Sequence, residues 1–88
     1  MQHQKCDIAL IMSFSSAQCR AARALIGWSQ DDLEAAAKVA KKTIADFERQ
    51  ARQPHARTLE ALRAALEAAG VIFIAENGEG PGVRLRKE

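Results

Sequence analysis

The segment from Gln30 to Arg49, QDDLEAAAKVAKKTIADFER, constrains the fold more than any other stretch of the chain. It predicts a short helix, a tight turn plugged by Val39 and a second short helix. With 3.6 residues per turn, Ile44 and Phe47 of the second helix face inward. The opposite side carries the outward stripe Lys42, Ala45, Asp46 and Arg49. Two helices that pack by one side and present charge on the other are suited to entering a DNA groove.

Positive charge is concentrated around this segment. The chain has 88 residues, a formal net charge of +2 and a sequence pI near 8.8, which permits nucleic-acid binding without requiring it. Between Lys38 and Arg57, however, six basic side chains stand against two acidic ones. This local excess of cations favours a polyanionic partner at the predicted motif.

Helix-start and helix-stop signals indicate that the motif continues from another helix. Ser15 and Gln18 predict a capping box at the start of a first helix, Ser16 to Ile26, which Gly27 ends. Ser29 is the expected N-cap of the second helix, which has carboxylates in its first turn. The side chains expected to face inward from these two helices are Ala21, Ala24, Leu25, Trp28, Leu33, Ala36 and Ala37.

After the motif, the apolar period changes from that of a helix to that of a strand. A loop from Ala51 to Arg57 is followed by a fourth predicted helix, Thr58 to Ala69, with its leucines inward. Val71–Ile74 and Val83–Arg86 flank a Gly-rich turn, Asn77 to Gly82, and predict a β-hairpin. An isolated hairpin is marginal in water, so we expect residues 71–88 to pair with another chain as a dimerisation element or to pack on the helices.

The first residues do not match the pattern of the rest. Met1 to Phe14 is predicted to be an N-terminal extension that is poorly ordered or peripheral. Met12 comes just before a helix-start signal, so translation from Met12 is one alternative. A short edge strand, Ile8 to Met12, is another.

Composition argues against several other classes of protein. Cys6 and Cys19, with only His3 and His55 in the chain, fit no zinc spacing, so we expect reduced thiols, no metal and no cofactor. No apolar run approaches the ~18 residues of a membrane span, and Asp7 argues against a signal peptide. No Gly-rich phosphate loop or nucleophile–base pair is visible, so no catalytic residue is expected. These features favour a cytoplasmic protein that is not an enzyme.

Taken together, these residues resemble the Cro/repressor-type (XRE) family of helix-turn-helix proteins. The similarity covers about Cys19 to Val71. It is carried by R-A-L-I-G at 23–27, W-S-Q-D-D-L at 28–33, A-K-V-A-K-K-T-I-A-D-F-E at 37–48 and Pro54. The resemblance implies a mainly α fold, a four-helix lambda-repressor-like DNA-binding domain at 15–70 with its helix-turn-helix at 30–49. The predicted C-terminal β-hairpin then follows.

The resemblance also implies roles for single residues. One position at the start of the second helix clamps a DNA phosphate, and several positions of the recognition helix reach base edges. These are Gln30 for the phosphate and Lys41, Lys42, Thr43 and Asp46 for the bases. Arg23 and Glu48 match a structural ion pair between the first and third helices. From charge and position, Arg49 belongs to the same outward face and Arg52 is expected on a phosphate.

Three positions depart from the family pattern, all of them beside the recognition helix. Relatives often have Gly at the positions of Lys38 and Gln50. A left-handed backbone costs Lys about 1 kcal/mol more than Gly. Ala40 stands where relatives often have Ser or Thr, so the helix lacks a side-chain N-cap worth about 1 kcal/mol.

Some roles have alternatives that the sequence leaves open. The cations Lys42 and Arg49 are also typical of a solvated helix face. Asp46 either accepts from cytosine N4 or forms an ion pair with one of these cations. The basic end of the chain, Arg84 to Lys87, either extends the basic surface or protects a strand edge.

The expected function is sequence-specific binding to the major groove of double-stranded DNA. The protein would be a small bacterial transcriptional regulator, a repressor that acts as a homodimer on a palindromic operator. The alternative is an antitoxin-like DNA-binding protein, or a protein-interaction module, whose hairpin binds a partner protein. A pure interaction module would show no salt-dependent DNA binding.

Overall fold

The computed structural model describes residues 14–87, which form four α-helices followed by a two-stranded antiparallel sheet. The helices are α1 Ser16–Ile26, α2 Gln30–Ala37, α3 Lys41–Glu48 and α4 Ala56–Ala68, and the strands are β1 Val71–Ile74 and β2 Gly82–Leu85. This mainly helical architecture with a C-terminal hairpin confirms the predicted fold class. The expectations for Met12 and for a strand at Ile8 to Met12 lie outside the described residues.

The predicted bounds of α1 are confirmed because capping residues fix both ends. The Ser15 hydroxyl accepts from the Gln18 backbone N–H, and the Gln18 side chain accepts from the Ser15 backbone N–H, which completes the capping box. At the other end Gly27 adopts a left-handed conformation with φ of 70°. That conformation is strained for residues with a Cβ atom, which is why Gly ends the helix there.

The predicted buried side of α1 is wrong. Ala21, Ala24 and Leu25 are exposed, whereas Cys19 and Ala22 are fully buried. Alanines occur on several sides of this helix, so apolar periodicity alone does not define which side packs. Contacts of the polar side chains decide the orientation instead, since Gln18 bonds the hairpin and Arg23 bonds α3.

A second capping box starts α2, where Ser29 and Asp32 exchange backbone and side-chain hydrogen bonds. Leu33 is fully buried and Ala37 half-buried, as expected, but Ala36 is exposed. Leu33 is the buried residue of this eight-residue helix. Half-buried Trp28 packs against that core.

The fourth helix begins two residues earlier than predicted, at Ala56 instead of Thr58, and ends at Ala68. Pro54 prevents the helix from starting earlier. Ala56 and Arg57, which follow His55, both favour helix formation. His55 is the N-cap and makes no side-chain capping bond. Three leucines of this helix are buried in the core, namely Leu59, Leu62 and Leu66.

The hairpin packs on the helices, which was one of the two expected arrangements. Phe73 and Val83, which are paired in the register, pack against the core, and the sheet contacts α1 and α4. The Gln18 amide donates to the Ile74 carbonyl at 3.3 Å and to the Gly82 carbonyl at 2.9 Å. The second strand starts at Gly82 and ends at Leu85, one residue earlier at each end than predicted. A side chain of α1 therefore fixes the position of the hairpin.

Phe14 belongs to the core and not to a peripheral extension. Its side chain is 3% exposed, and its ring meets Phe73 edge-on at 5.1 Å and Phe47 at 5.7 Å between centroids. Aromatic burial of this kind is a large apolar contribution to stability. The residue precedes the first helix cap, so no helical periodicity includes it, and no sequence signal points to its partners.

Candidate nucleic-acid interface

The third helix has one buried side and one open side. Ile44 is fully buried, Phe47 is nearly so, and the helix packs against α1 and α2. On the other side, the Lys42 side chain is 84% exposed and Arg49 is also exposed. The expected inward side of this helix is therefore confirmed. On the expected outward side, Lys42 and Arg49 are exposed and accessible to a ligand in solvent, but Ala45 and Asp46 are half-buried.

Asp46 lies between these two cations and pairs with both. Its carboxylate oxygens lie 3.2 Å from Lys42 Nζ and 2.9 Å from Arg49 Nη2. The hydrogen bond from Arg49, followed by that from Lys42, lowers the pKa of Asp46 below its usual value. The side chain is only 13% exposed. Asp46 therefore forms ion pairs with these cations, which was one of its two expected roles, and it aligns the two side chains.

The start of α3 is held by carboxylates of α2. Ala40 occupies the N-cap position and makes no side-chain hydrogen bond there. The Lys41 backbone N–H instead donates to Glu34 Oε2 at 3.2 Å, and Lys41 Nζ lies 3.1 Å from Asp31 Oδ1. The next residue but one, Thr43, is half-buried. Lys41 thus contacts α2 through both its backbone and its side chain.

Gln30, the expected phosphate clamp, is the first residue of α2 and bonds Glu48. Its Nε2 donates to Glu48 Oε1 at 3.0 Å. An amide nitrogen carries two N–H donors, so this bond leaves a second donor on the same nitrogen. The contact fixes the amide beside the end of α3.

A buried network around Glu48 ties α3 to the other helices. Arg23 makes two hydrogen bonds to the Glu48 carboxylate, at 2.8 Å from Nε and 2.7 Å from Nη2, so the ion pair implied by the family resemblance is present. Cys19 Sγ donates to Glu48 Oε2 at 3.1 Å, and Arg20 Nη1 donates to the Glu48 backbone carbonyl at 2.7 Å. Planar pairing of guanidinium and carboxylate restricts the orientation of both side chains.

Burial and hydrogen bonding oppose each other at Glu48. Burial alone would raise its pKa, but the hydrogen bonds from Arg23, Gln30 and Cys19 outweigh burial and hold the pKa below its usual value. Burial, together with the hydrogen bond to Glu48, strongly raises the pKa of the Cys19 thiol. Cys19 is therefore a buried thiol and not a thiolate, in line with the expectation that it is reduced.

The chain leaves the end of α3 through a residue with a left-handed backbone, Gln50. Gln50 has φ of 63°, and its side chain donates to Ser16 Oγ at 3.2 Å. The backbone N–H groups of Ala51 and Arg52 both donate to the Asp46 carbonyl. The loop after the helix is therefore tied to α1 and α3, and it carries the exposed side chain of Arg52.

The basic end of the chain has a different location. Arg86 Nη2 donates to the Glu67 carbonyl at 3.1 Å, near the C-terminal end of α4. The N-terminal end of α4 follows the loop from α3, and thirteen helical residues extend about 20 Å. Arg86 thus interacts with the negative end of a helix and does not extend the basic surface beside α3.

Several contacts of this site were not predicted from the sequence. Arg20, Glu34 and Cys19 all bond residues of α3 or its N-terminus, yet none belongs to the motif positions that the resemblance assigns. Arg20 precedes Arg23 by three residues and so falls near it on α1, which is a usable signal. Glu34 and Cys19 give no such signal, because their partners depend on how the helices are packed.

The part of the chain that the structure describes also bears on metals and membranes. Within residues 14–87, no three His, Cys, Asp or Glu side chains are grouped so that they could hold a metal ion. None of the helices described there combines the length and the apolar character needed to cross a membrane.

Comparison with known proteins agrees with the geometry of α2 and α3. A helix-turn-helix family model matches residues 20–68, which is more than half of the chain and runs from α1 to the end of α4. No curated protein matches the chain. Since the family match includes both helices of the motif and the two helices that support them, this chain belongs to the XRE-type helix-turn-helix family and is a DNA-binding transcriptional regulator.

Proposed function

We propose that this protein is a sequence-specific repressor that inserts α3 into the major groove of double-stranded DNA. The observation that carries the proposal is the open side of α3, where Lys42 and Arg49 are exposed and aligned by Asp46. An α-helix fits into the major groove, where each base pair presents a distinct pattern of hydrogen-bond donors and acceptors. The buried network at Glu48 supports the proposal because it holds this helix in one orientation.

The proposed base contacts come from the first half of α3 and from Asp46. Lys42 would donate to guanine O6 and N7, and Thr43 would meet a thymine methyl group or a phosphate. Lys41 would reach a neighbouring base edge on leaving Asp31. Asp46 would accept from cytosine N4 or keep Lys42 and Arg49 aligned; a carboxylate without such a partner would be repelled by DNA.

The proposed phosphate contacts lie on either side of α3. Gln30 would donate its second amide N–H to a phosphate while Glu48 keeps the first, so its amide would arrive already oriented. Arg52, on the loop after α3, would contact a phosphate on the other side. Contacts of this kind set the register of the protein on DNA but do not read the sequence.

The proposed dimer forms through the hairpin. Only β1 pairs with β2 in the two-stranded sheet, so among the described residues the other edge of β2 has no strand beside it. Leu85 on β2 is 51% exposed and Leu25 on α1 is 42% exposed, and these are the exposed large hydrophobic side chains of the described chain. A second copy that pairs with this edge of β2 and covers Leu85 would present two recognition helices to a palindromic operator. A partner protein, as for an antitoxin, would use the same surface.

The site of action follows from the proposed target. The resemblance is to bacterial regulators, whose DNA lies in the cytoplasm, and we place this protein there. Bound at an operator, a dimer would repress by occupying DNA that the transcription machinery needs.

A titration of labelled duplex DNA at several salt concentrations tests the DNA-binding surface. We expect affinity to fall steeply as salt rises, since each phosphate contact releases bound cations from DNA. Lys42→Ala should weaken binding, whereas Lys87→Ala, which removes the same charge next to Arg86 at the C-terminal end of α4, should leave it unchanged. Equal loss in both variants would show that general charge, and not α3, binds the DNA.

A further inference from the structure

We infer that Glu34 caps the first backbone N–H of α3, a helix whose N-cap residue Ala40 offers no side-chain acceptor, and that it thereby positions the recognition helix for DNA. This inference rests on the proposed function, since it concerns how α3 is presented to the groove. A helix leaves its first backbone N–H groups without partners within the helix, and a polar side chain at the N-cap usually accepts from one of them.

The three helix starts near the motif differ in how they are capped. Ser15 and Ser29 cap α1 and α2 in the ordinary way, through their own hydroxyl groups. At α3 the N-cap residue is Ala40, with φ of −56° and ψ of 139°, and it has no side-chain acceptor. A carboxylate from the preceding helix makes a different contact: Glu34 Oε2 accepts from the first N–H of α3, that of Lys41, at 3.2 Å, whereas each serine accepts from the third N–H of its helix.

Glu34 is in contact with both ends of the turn between α2 and α3. Its backbone carbonyl accepts from the Lys38 N–H at 2.8 Å, where Lys38 has a left-handed φ of 59° and ends α2. Its side chain accepts from Lys41, where α3 begins. One residue therefore spans the turn and fixes the start of α3 relative to α2.

Asp31 adds a second contact from the same side of α2. It lies three residues before Glu34, so the two carboxylates are neighbours on the helix surface. Asp31 pairs with the Lys41 ammonium at 3.1 Å while Glu34 holds the Lys41 backbone. The ion pair is exposed and contributes little by itself. The hydrogen bond from the Lys41 backbone is therefore the main contact by which α2 fixes the start of α3.

This arrangement has a consequence for DNA recognition. Lys41 is the first residue of α3, and its backbone N–H is occupied by Glu34 instead of being directed at a phosphate. Lys42 and Thr43 follow directly, so the geometry of the cap determines where their side chains enter the groove. Glu34 is thus a positioning residue that acts on DNA through α3.

Four variants test this inference, namely Glu34→Ala, Glu34→Gln, Ala40→Ser and the double variant Glu34→Ala with Ala40→Ser. Each is measured by urea unfolding and by its affinity for duplex DNA that the wild-type chain selects from a random library. Glu34→Ala and Glu34→Gln remove the same charge, but only Gln keeps a side-chain oxygen that can accept from Lys41. Their difference therefore isolates the cap from the repulsion between a carboxylate and DNA.

We expect Glu34→Ala to reduce the folding equilibrium constant and the operator affinity, each about fivefold, as for the loss of one N-cap. Glu34→Gln should keep most of both. Ala40→Ser should raise both quantities in the wild-type chain and in the Glu34→Ala chain, because a serine there would accept from the Thr43 N–H while Glu34 accepts from the Lys41 N–H.

The opposite pattern would overturn the inference. An equal loss of stability in Glu34→Ala and Glu34→Gln would show that no side-chain oxygen at position 34 caps the helix. Equal gains in DNA affinity for Glu34→Ala and Glu34→Gln would reduce Glu34 to a repulsive charge. If the wild-type chain bound no DNA at all, the proposed function would fail and the positioning of α3 for DNA with it. The unfolding data would still decide whether Glu34 is the cap.

Discussion

At the level of single residues, Glu48 holds the recognition helix in place. It accepts hydrogen bonds from Cys19 and Arg23 of α1 and from Gln30 of α2, and its own side chain is only 3% exposed. A buried carboxylate is costly unless such partners surround it, so the network specifies one packing of three helices. The network also presents the Gln30 amide in a fixed orientation. The proposed base-reading surface therefore depends on a buried residue.

Lowering the pH should weaken the fold through Glu48. Its pKa in the folded protein lies below the ordinary value of 4.5, so its stabilisation is fully present above that pH and is lost as the pH falls toward the lower folded-state pKa. Urea unfolding between about pH 7 and about pH 3 should show a steep fall in the free energy of unfolding at acid pH, here called the acid limb. Glu48→Gln should lower the free energy of unfolding by about 3 kcal/mol at neutral pH and flatten the acid limb.

The matched control is Glu79→Gln, which changes an exposed carboxylate of the hairpin loop. It should keep the full acid limb. A Glu48→Gln protein with the same acid limb as the wild-type chain would show that other carboxylates cause the loss.

At the level of elements, caps and turns were easier to predict than packed sides. The serines that start α1 and α2 and the glycine that ends α1 act locally, so the sequence specifies them fully. The prediction of the inward side of α1 was wrong because the many alanines of this helix are compatible with several orientations. The left-handed residues Lys38 and Gln50 could be expected only from the family pattern, since neither is a usual choice for such a backbone.

Replacing Lys38 by Gly should stabilise the turn between α2 and α3. The left-handed backbone costs a residue with a Cβ atom about 1–2 kcal/mol, and the greater freedom of Gly in the unfolded chain offsets about 0.4–1 kcal/mol of the gain. We expect Lys38→Gly to raise the free energy of unfolding by about 0.5 kcal/mol. Urea unfolding at constant pH and salt measures it.

Ala35→Gly is the matched comparison, because the same residue is introduced in the interior of α2. It should lower the free energy of unfolding by about 1 kcal/mol. If both glycines destabilised the protein equally, the left-handed conformation of Lys38 would not be a source of strain.

At the level of the whole molecule, the helices and the hairpin form one packed unit. Phe14 lies at its centre with Phe47 of α3 and Phe73 of β1, so residues far apart in sequence share a core. The existence of the hairpin was predicted from its alternation and Gly-rich turn, but its place on α1 was not. Gln18 decides that place, and its role in the capping box gave no hint of a second role. Long-range contacts of this kind leave no periodic signal in a sequence.

The packed hairpin leads to a prediction about assembly. Leu85→Asp should convert a dimer into a monomer, because it places a charge on the exposed surface proposed to be covered by a second copy. Sedimentation equilibrium measures the change, with circular dichroism to verify folding. Ala35→Asp, on the exposed side of α2, should remain dimeric. A monomeric wild-type chain would rule out the dimer. A dimeric Leu85→Asp chain would place the interface elsewhere.

The proposed function requires two copies of α3 to read a specific DNA sequence. It can be tested by selection from a random duplex library, with the bound DNA sequenced and retested at two salt concentrations. We expect a short palindrome with half-sites about one helical turn apart, bound more tightly than random DNA at both salt concentrations. Salt-sensitive binding without any enriched motif, or no binding at low salt, would contradict it.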